Sequence, residues 1–309
     1  MKGPLLDKLQ SKLKEPVIQG DARDAVARLA KVRAKPDKYA ILTAQYTAVV
    51  LIDTRYRHLM AANTLPVLWG YLDKVMPVEA FKKKISKPSV RENFFRWENK
   101  TFPGLATHFV LRKRKIEEEV RQQLEAGIKQ VVNLGAGYDT LCTRLSAEYP
   151  DAEFFELDLP STQKPKTDTL KSRPRNLHFI NLDFLEPHLE KVMKAHPKYD
   201  RNKRTYFIAD HSGHRSHLAF TFLDRGLDGR PIYPDVSILA DIILKLNRVE
   251  FDFGLKMDSL MRFLNDRYFG LTSVYTAQEL RDEAPEPIPP CPKRVKSEFL
   301  AFGELVYEG

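Results

Sequence analysis

The strongest constraint on the fold is an alternation of short apolar runs with helix-like segments, which begins at Lys129. The runs KQVVNLG, AEFFELD, NLHFINLD and RTYFIAD predict four buried strands, and SHLAFTFLD predicts a fifth. Helical patterns such as TLCTRLSAEY and FLEPHLEKVMKA separate the first four, while FGLTSVYT and SEFLAFGELVYE predict strands that close the sheet. This order is typical of a parallel sheet with helices on both faces. Residues 129–309 are therefore predicted to form an α/β core, a doubly wound and mostly parallel sheet.

The preceding 128 residues have a helical pattern instead. In THFVLRKRKIEEEVRQQLEAG, the apolar residues Ile116, Val120 and Leu124 recur every four positions, and Gly127 is a typical helix stop. The apolar stretches YAILTAQYTAVVLIDTRYRHLM and TLPVLWGYLDKVM also predict helices. We expect residues 1–128 to form a helical region that packs on the core as a cap or lid.

The turn after the first strand, VVNLGAGYDT, is the most informative stretch for function. Gly135, Ala136 and Gly137 join a strand to a helix, and two glycines allow a tight turn that a ligand can approach closely. The dinucleotide fingerprint requires a third glycine where this chain has Thr140. The turn therefore indicates a nucleoside ligand without requiring a pyrophosphate, although a plain strand-to-helix turn remains an alternative.

The second strand supports a nucleoside ligand. Asp158 ends the run FELD and lies 23 positions after Gly135, close to the roughly 20 expected of an acid that binds a ribose diol. An ionised carboxylate can accept hydrogen bonds from both hydroxyls. These features favour S-adenosylmethionine over NAD as the ligand.

Three histidines, His211, His214 and His217, follow Asp210 at intervals of three. On an α-helix this spacing spreads the side chains over about 120°, and on a strand the middle one points away from the others. Only a 3₁₀ turn or a bent loop would gather them around a metal, with Asp210 as a fourth ligand. We interpret this stretch as a short joint between strands and expect no metal site.

Charge and composition exclude several classes of protein. The net charge of +9 is concentrated in Lys82–Lys84, Arg112–Lys115 and the first 38 residues, and such runs are usually solvated surface. Because no nucleic-acid-binding signature accompanies them, we expect no nucleic-acid partner. No apolar run is long enough to span a membrane, and the N-terminus lacks a secretory h-region. Cys142 and Cys291 cannot form a disulfide framework, so we expect a cytoplasmic protein without a membrane partner.

Several of these segments together resemble one protein family. VVNLGAGYDT, FELDLP with a following Lys164, INLDF and YFIAD resemble the leucine carboxyl methyltransferase family of S-adenosylmethionine-dependent enzymes. The resemblance extends from about Pro103 to the C-terminus and implies a Rossmann-like sheet with an added helical N-terminal region. It implies S-adenosylmethionine as cofactor and methyl transfer to a carboxylate or hydroxyl oxygen. The acceptor would be a small molecule or a peptide carboxylate.

The resemblance also implies roles for particular residues. Gly135, with Ala136 and Gly137, would pack on the cofactor, and Asp158 would hold the ribose hydroxyls. The other implied cofactor-binding residues are Asp183 and Phe184 beside the adenine, Arg112 on the methionine carboxylate, and Asp210 at the end of the fourth strand. Asp139 has a purely structural interpretation as a helix-start residue. Arg91 is a second arginine that could hold an anionic substrate.

The chain departs from the family pattern after the fourth strand, where roughly twenty residues are missing relative to it. A parallel crossover between neighbouring strands usually takes a dozen or more residues, and only His211–Arg215 lie between Asp210 and Ser216. We therefore expect the fifth strand to run antiparallel or to be displaced, or the fourth to be frayed. Three alternatives stay open: a cofactor-binding scaffold that has lost catalysis, an NAD-dependent oxidoreductase and a nucleic-acid methyltransferase.

Overall fold

The described part of the chain folds around one seven-stranded sheet. The computed structural model describes residues 35–170, 172–183, 189–209, 217–223, 255–266, 269–285, 288–289 and 298–305. The strands are β1 (Gln130–Leu134), β2 (Glu153–Asp158), β3 (Leu177–Asn181), β4 (Thr205–Ala209), β5 (His217–Leu223), β6 (Phe269–Thr276) and β7 (Glu298–Leu305). The helices are α1 (Lys38–Ile52), α2 (Thr64–Asp73), α3 (Val78–Ile85), α4 (Pro88–Thr101), α5 (Leu105–Glu125), α6 (Leu141–Glu148), α7 (Pro160–Thr169), α8 (Leu189–Ala195), α9 (Met257–Asn265) and α10 (Ala277–Asp282).

The strand order is β3-β2-β1-β4-β5-β7-β6. Strands β1 to β5 are mutually parallel, and β7 lies antiparallel between β5 and β6. Helices cover both faces: α5 and α6 pack in one apolar cluster, and α8 and α9 in another on the opposite side. The predicted fold class, a Rossmann-like, mostly parallel α/β sheet, is confirmed.

The pairing of β4 with β5 corrects the expectation about the short joint. The two strands are parallel neighbours, with Tyr206 opposite His217 and Ala209 opposite Phe220, and all seven residues of β5 are buried. Parallel crossovers usually take a dozen or more residues because most of them contain a helix. The distance to cover, from Ala209 to His217, is only about 11 Å from strand rise and spacing. The seven residues 210–216 can span about 25 Å when extended, so their number does not prevent parallel pairing.

Helix α5 follows the predicted pattern. Ile116, Val120 and Leu124 are all buried in the core, and the helix ends just before Gly127, which has a φ of 98°. The helix runs back along the sheet before β1, so its first turns lie near the edge formed by the carboxyl ends of the parallel strands. Contacts between Arg112 and the end of β5 place it there.

The structure describes the predicted helical region only from residue 35 onward. Helices α1 to α5 occupy the described part of the predicted helical region, and residues 36–309 form one compact unit. The boundary between a cap and a core at residues 128/129 stays a prediction. The helices predicted in DARDAVARLAKVRA and DVSILADIILKLN lie outside the described residues. None of the helices that are described is long and apolar enough to cross a membrane.

Candidate active site

The glycine turn lies where β1 meets α6, at the carboxyl edge of the sheet. Gly135 and Gly137 have φ values of 65° and 47°, a region that favours glycine. The backbone N–H groups of Gly135 and Ala136 both donate to the carbonyl oxygen of Leu157 in β2, at 2.9 and 3.2 Å. A Cβ atom added to Gly135 would meet nothing within 4 Å. The turn is thus fixed by β2 and leaves space against its first glycine.

Asp158, at the end of β2, is bound to the same turn. Its Oδ2 accepts the Gly137 N–H at 2.6 Å, and its Oδ1 accepts the Leu159 N–H at 2.6 Å. Burial raises the pKa of this carboxyl group, against the opposing effect of the two amides. Each carboxylate oxygen has a further lone pair, so Asp158 can still accept hydrogen bonds from two ribose hydroxyls.

Three other predicted cofactor residues follow strands of the sheet: Asp183 and Phe184 come after β3, and Asp210 comes after β4. The N–H of Leu182 donates to the carbonyl oxygen of Asp158 at 2.9 Å, which brings the start of the loop after β3, and with it Asp183, to this edge. Phe184 and Asp210 lie outside the described residues. Gly135, Ala136, Gly137 and Asp158 are therefore close together, with Asp183 beside them, and their role as cofactor ligands stays a prediction.

The hydrogen bonds of the turn decide which kind of nucleoside ligand fits. A pyrophosphate needs backbone N–H groups that point at it, but those of Gly135, Ala136 and Gly137 donate to protein acceptors. A buried carboxylate directly behind the turn also disfavours a phosphate. Open space at Gly135 and an acid for the ribose fit the nucleoside part of S-adenosylmethionine, which carries no phosphate.

The start of helix α6 is stabilised by Asp139, which follows the glycine turn. Asp139 accepts the Leu141 N–H at 2.7 Å, which confirms its predicted structural role, and it forms an ion pair with Lys113 of α5. Burial opposes ionisation of Asp139, but Lys113 outweighs it and lowers the pKa. Thr140, in place of the third glycine, is buried and accepts a hydrogen bond from Arg144 at 3.1 Å.

A buried ion pair beneath the turn was not predicted. Lys166 of α7 forms an ion pair with Glu156 of β2, and its Nζ also donates to the Asp139 carbonyl oxygen at 3.0 Å. Lys164, the lysine assigned by the resemblance, is exposed and pairs with Asp168 of the same helix. The sequence did contain a signal for Lys166. It lies two residues after Lys164 in the helix that begins at Pro160, so the two lysines lie on opposite faces of that helix. We call Gly135–Gly137, Asp158, Glu156 and Lys166 the cofactor side of the site.

Arg112 has partners within the protein. It forms an ion pair with Glu298 at the start of β7 and lies 3.5 Å from the Thr221 hydroxyl of β5. Its predicted contact with the methionine carboxylate stays a prediction. The expectation that Arg112–Lys115 is a solvated basic run is wrong, because each of the four cations is paired: the partners are Glu298, Asp139, Glu118 and Glu283. A helix whose cations face neighbouring acidic residues does not present a free basic surface.

Arg91 and the histidines occupy other places. Arg91 donates to the carbonyl oxygens of Ile85 and Ser86, at 2.7 and 2.8 Å, so it holds the junction of α3 and α4. His217 lies in β5 near Arg204, and burial lowers its pKa. His211 and His214 lie outside the described residues. Within the described ranges, no three His, Cys, Asp or Glu residues form a group that could hold a metal ion.

Helix α1 lies over the glycine turn. A Cβ atom on Gly137 would approach the Cβ of Ala40 to 3.3 Å, so the first turn of α1 packs directly on the second glycine. That turn is fixed by Asp37, whose side chain accepts the Ala40 N–H at 2.7 Å. The helices before the sheet therefore form part of the wall around the glycine turn.

Comparisons with known proteins agree with this geometry. Leucine carboxyl methyltransferase, as a family model, matches residues 36–211. YktD of Bacillus subtilis, whose name describes it as an S-adenosyl-L-methionine-dependent methyltransferase, is 36% identical over 98 residues, 29% of this chain and 31% of that protein. A Mycobacterium marinum protein with the same description is 43% identical over 65 residues, 21% of this chain and 20% of that protein. The chain thus matches less than a third of the length of these curated relatives.

A solved structure shows the same fold. A methyltransferase structure from Thermobifida fusca superposes with a TM-score of 0.50 at 15% identity, over 88% of this chain and 96% of the other. Fold and site together define a Rossmann-like α/β protein with a glycine turn and an acid at the end of the second strand. Because the family match covers more than half of its 309 residues, the chain belongs to the leucine carboxyl methyltransferase family.

Proposed function

We propose that this protein transfers a methyl group from S-adenosylmethionine to an oxygen atom, either of a carboxylate or of a hydroxyl group. The observation that carries the proposal is the glycine turn, whose first three N–H groups donate within the protein while Asp158 stands beside it. That arrangement suits a ribose without a pyrophosphate. The acceptor is a small molecule or a peptide carboxylate, and the proposed location is the cytoplasm.

The predicted cofactor-binding residues would each hold a different part of the ligand. Gly135 offers a surface without a side chain, and Asp158 accepts hydrogen bonds from the ribose hydroxyls. Asp183, Phe184 and Asp210 would border the nucleoside, and Arg112 would reach the carboxylate of the methionine part. The cofactor supplies the reactive methyl group on a sulfonium centre, which is the hard part of the chemistry. The protein contributes alignment of the acceptor oxygen, largely a proximity effect.

A scaffold that binds the cofactor without catalysis is a second candidate. The observation in its favour is the shortness of the link between β4 and β5, which begins where the family match ends, at residue 211. The parallel pairing of β5 weakens this candidate, because the strand that follows the link keeps its place in the sheet. Binding of the cofactor without methyl transfer to any acceptor would favour the scaffold.

Calorimetric titration of S-adenosylhomocysteine and NAD, each into separate samples of the full chain, tests the proposed function. We expect S-adenosylhomocysteine to bind and NAD not to bind. Asp158→Asn should weaken binding by about 100-fold, because hydrogen bonds to a charged group contribute roughly 1.5–3 kcal/mol each. The control is Asp168→Asn, the same change at an exposed acid of α7, which should leave the affinity unchanged. NAD binding, or an unaltered affinity of Asp158→Asn, would contradict the proposal.

The same titration separates the predicted role of Arg112. 5′-Deoxy-5′-methylthioadenosine has the nucleoside of the cofactor but no carboxylate. If Arg112 binds that carboxylate, Arg112→Gln should weaken the binding of S-adenosylhomocysteine and leave the binding of 5′-deoxy-5′-methylthioadenosine unchanged. Equal weakening of both ligands would instead indicate that Arg112 acts through its ion pair with Glu298.

A further inference from the structure

A second buried polar cluster lies at the same edge of the sheet, toward β5 and β7. Glu298 opens β7 and pairs with Leu223, the last residue of β5. Strand β5 is parallel to β4 and β1, so its end faces the same side as the glycine turn. The first turns of α5 bring His108 and Arg112 against Glu298. We call His108, Thr221 and Glu298 the acceptor side of the site, and Arg112, the predicted partner of the methionine carboxylate, lies at its border.

His108 has an unusual environment for a buried side chain. Its side chain is only 3% exposed, and its Nε2 lies 3.4 Å from Oε2 of Glu298. Within the described part of the chain its Nδ1 has no hydrogen-bond partner, and Nε2 has only this contact with Glu298. Buried polar atoms are nearly always satisfied, and leaving one unsatisfied costs about 1–3 kcal/mol. A buried ring nitrogen without a hydrogen-bond partner, at the carboxyl edge of the sheet, indicates that a ligand's hydrogen-bonding group binds there.

The charges around His108 favour a basic role over anion binding. Burial would raise the pKa of Glu298, but Arg112 and then His108 outweigh it and lower the pKa to about 2. Glu298 is therefore ionised and compensates the charge of Arg112. The pair offers an acidic acceptor no uncompensated positive charge, whereas a carboxylate beside an imidazole stabilises the imidazolium that forms when a base accepts a proton.

Other ionisable groups near the start of α5 come from α4 and α1. Glu98 of α4 accepts the Ala106 N–H at 2.6 Å, and burial raises its pKa to about 7 against that hydrogen bond. Tyr46 of α1 packs on Phe109, and burial, followed by the charge of Glu98, raises its pKa to about 12. Neither contacts a ring nitrogen of His108 at hydrogen-bond distance, so Glu298 is the acid that acts on the imidazole.

We propose that His108, positioned by Glu298, is the general base that removes the proton from a hydroxyl acceptor. The inference rests on the proposed function and narrows its acceptor to an alcohol or a phenol. The acceptor proton moves to a ring nitrogen of His108, and the acceptor oxygen forms a bond to the methyl carbon. The carbon–sulfur bond breaks with its electron pair going to sulfur, which yields a methyl ether, S-adenosylhomocysteine and an imidazolium. A carboxylate acceptor is already ionised at neutral pH and would need no such base.

The experiment compares 4-methylphenol with 4-methylbenzoate, two probes of similar shape and different charge. Both are titrated by calorimetry into the S-adenosylhomocysteine complex of the full chain and then assayed for methyl transfer from S-adenosylmethionine. We expect binding of and transfer to the phenol, at a rate that falls as the pH is lowered, because a protonated base cannot accept the acceptor's proton. His108→Gln should lower the rate by at least 100-fold, the lower range for a general base, and abolish that pH dependence.

The chain provides a matched control on the same strand. His217 is also buried and lies 3.9 Å from Glu304 of β7, but at the amino end of β5. His217→Gln should leave the rate and its pH profile unchanged. His108→Asn serves as a second variant if His108→Gln folds poorly, as judged by circular dichroism. S-adenosylhomocysteine should bind both His108 variants within about threefold of the wild-type affinity.

Three outcomes would overturn the inference: preferential methylation of 4-methylbenzoate, an unchanged pH profile in His108→Gln, or no binding of either probe. The two proposals fail in distinguishable ways. Loss of S-adenosylhomocysteine binding by the wild-type protein would contradict the proposed function. Retained cofactor binding without a role for His108 would contradict this inference alone.

Discussion

The cofactor side and the acceptor side each bury a glutamate against a cation, yet the pKa values of the two carboxyl groups are shifted in opposite directions. Burial raises the pKa of Glu156 to about 6, although Lys166 opposes it. The pKa of Glu298 is lowered to about 2 by Arg112 and His108, against a similar effect of burial. Both side chains are at most 10% exposed. Depth of burial alone therefore does not decide the direction in which the pKa of a carboxyl group is shifted here.

The neighbours account for the difference. Asp139 and Asp158 lie close enough to Glu156 to raise its pKa, and its Oε1 has no hydrogen-bond partner among the described residues. Around Glu298, the groups that act on the carboxylate are Arg112 and His108, one at each oxygen. The glycine turn with Asp158 beside it thus accumulates negative charge, whereas the acceptor side balances its charges.

Replacement of each glutamate by glutamine should produce the largest difference. Glu298→Gln leaves Arg112 buried without its counter-charge, and breaking such a pair costs about 3–5 kcal/mol. Glu156→Gln should cost less, because the raised pKa of Glu156 means that the folded protein holds its ionised form less favourably than the unfolded chain does. Urea unfolding of both variants at pH 7 measures the difference. Equal losses would show that the two ion pairs contribute alike and would contradict the contrast.

The control for that comparison is the exposed pair on α7. Glutamine or asparagine at an exposed acid removes a charge without uncovering a buried cation, and exposed pairs are worth about 0–1 kcal/mol. Asp168→Asn, which breaks the contact with Lys164, should therefore change the free energy of unfolding by less than either glutamate variant.

The two carboxyl groups should also respond to different ranges of pH. The folded-state pKa of Glu298 lies below that of a free glutamate, so its stabilising contribution is present above about pH 4.5 and is lost as the pH falls toward 2. The folded-state pKa of Glu156 is raised, so its contribution is present below about pH 4.5 and is lost as the pH rises through 6. Glu156→Gln should flatten the stability curve between pH 4.5 and 6, and Glu298→Gln should flatten it below 4.5.

Thermal unfolding across buffers from pH 3 to 7 checks this prediction. Wild-type protein and the two variants should differ in opposite parts of the range. If Glu156→Gln leaves the curve between pH 4.5 and 6 unchanged, burial and the acidic neighbours of Glu156 do not raise its pKa as the structure indicates.

The smallest effects should come from the two glycines of the turn. Gly135→Ala places a methyl group in open space, so the main cost is the left-handed backbone, about 1–2 kcal/mol. The same methyl group should weaken the binding of S-adenosylhomocysteine. Gly137→Ala has the same backbone cost, and its new Cβ atom would also lie 3.3 Å from the Cβ of Ala40. We therefore expect Gly137→Ala to be the less stable of the two variants. Thermal unfolding and calorimetry together separate the two effects, and an unaltered affinity of Gly135→Ala would place the ligand elsewhere.

Most of the sheet was predictable, because strand and helix patterns depend on residues close in sequence. The alternation after Lys129 predicted all seven strands that the structure describes, and the apolar spacing of Ile116, Val120 and Leu124 predicted the buried face of α5. The separation of Gly135 and Asp158 also predicted their proximity, since parallel strands end at one edge. The expectation that β5 runs antiparallel or is displaced, or that β4 is frayed, was wrong, because a rule about helical crossovers was applied to a short link.

The sequence by itself determined the local elements, the glycine turn and the acid beside it, because backbone geometry and hydrophobic period are written into neighbouring residues. Only the tertiary structure decided which charged residues meet. Arg112 and Glu298 are 186 positions apart in the chain, and no local pattern pairs them. The same holds for His108, an ordinary helix residue until β7 places a carboxylate against it. Long-range pairing depends on the order of strands in the sheet, which is set by the packing of the whole core.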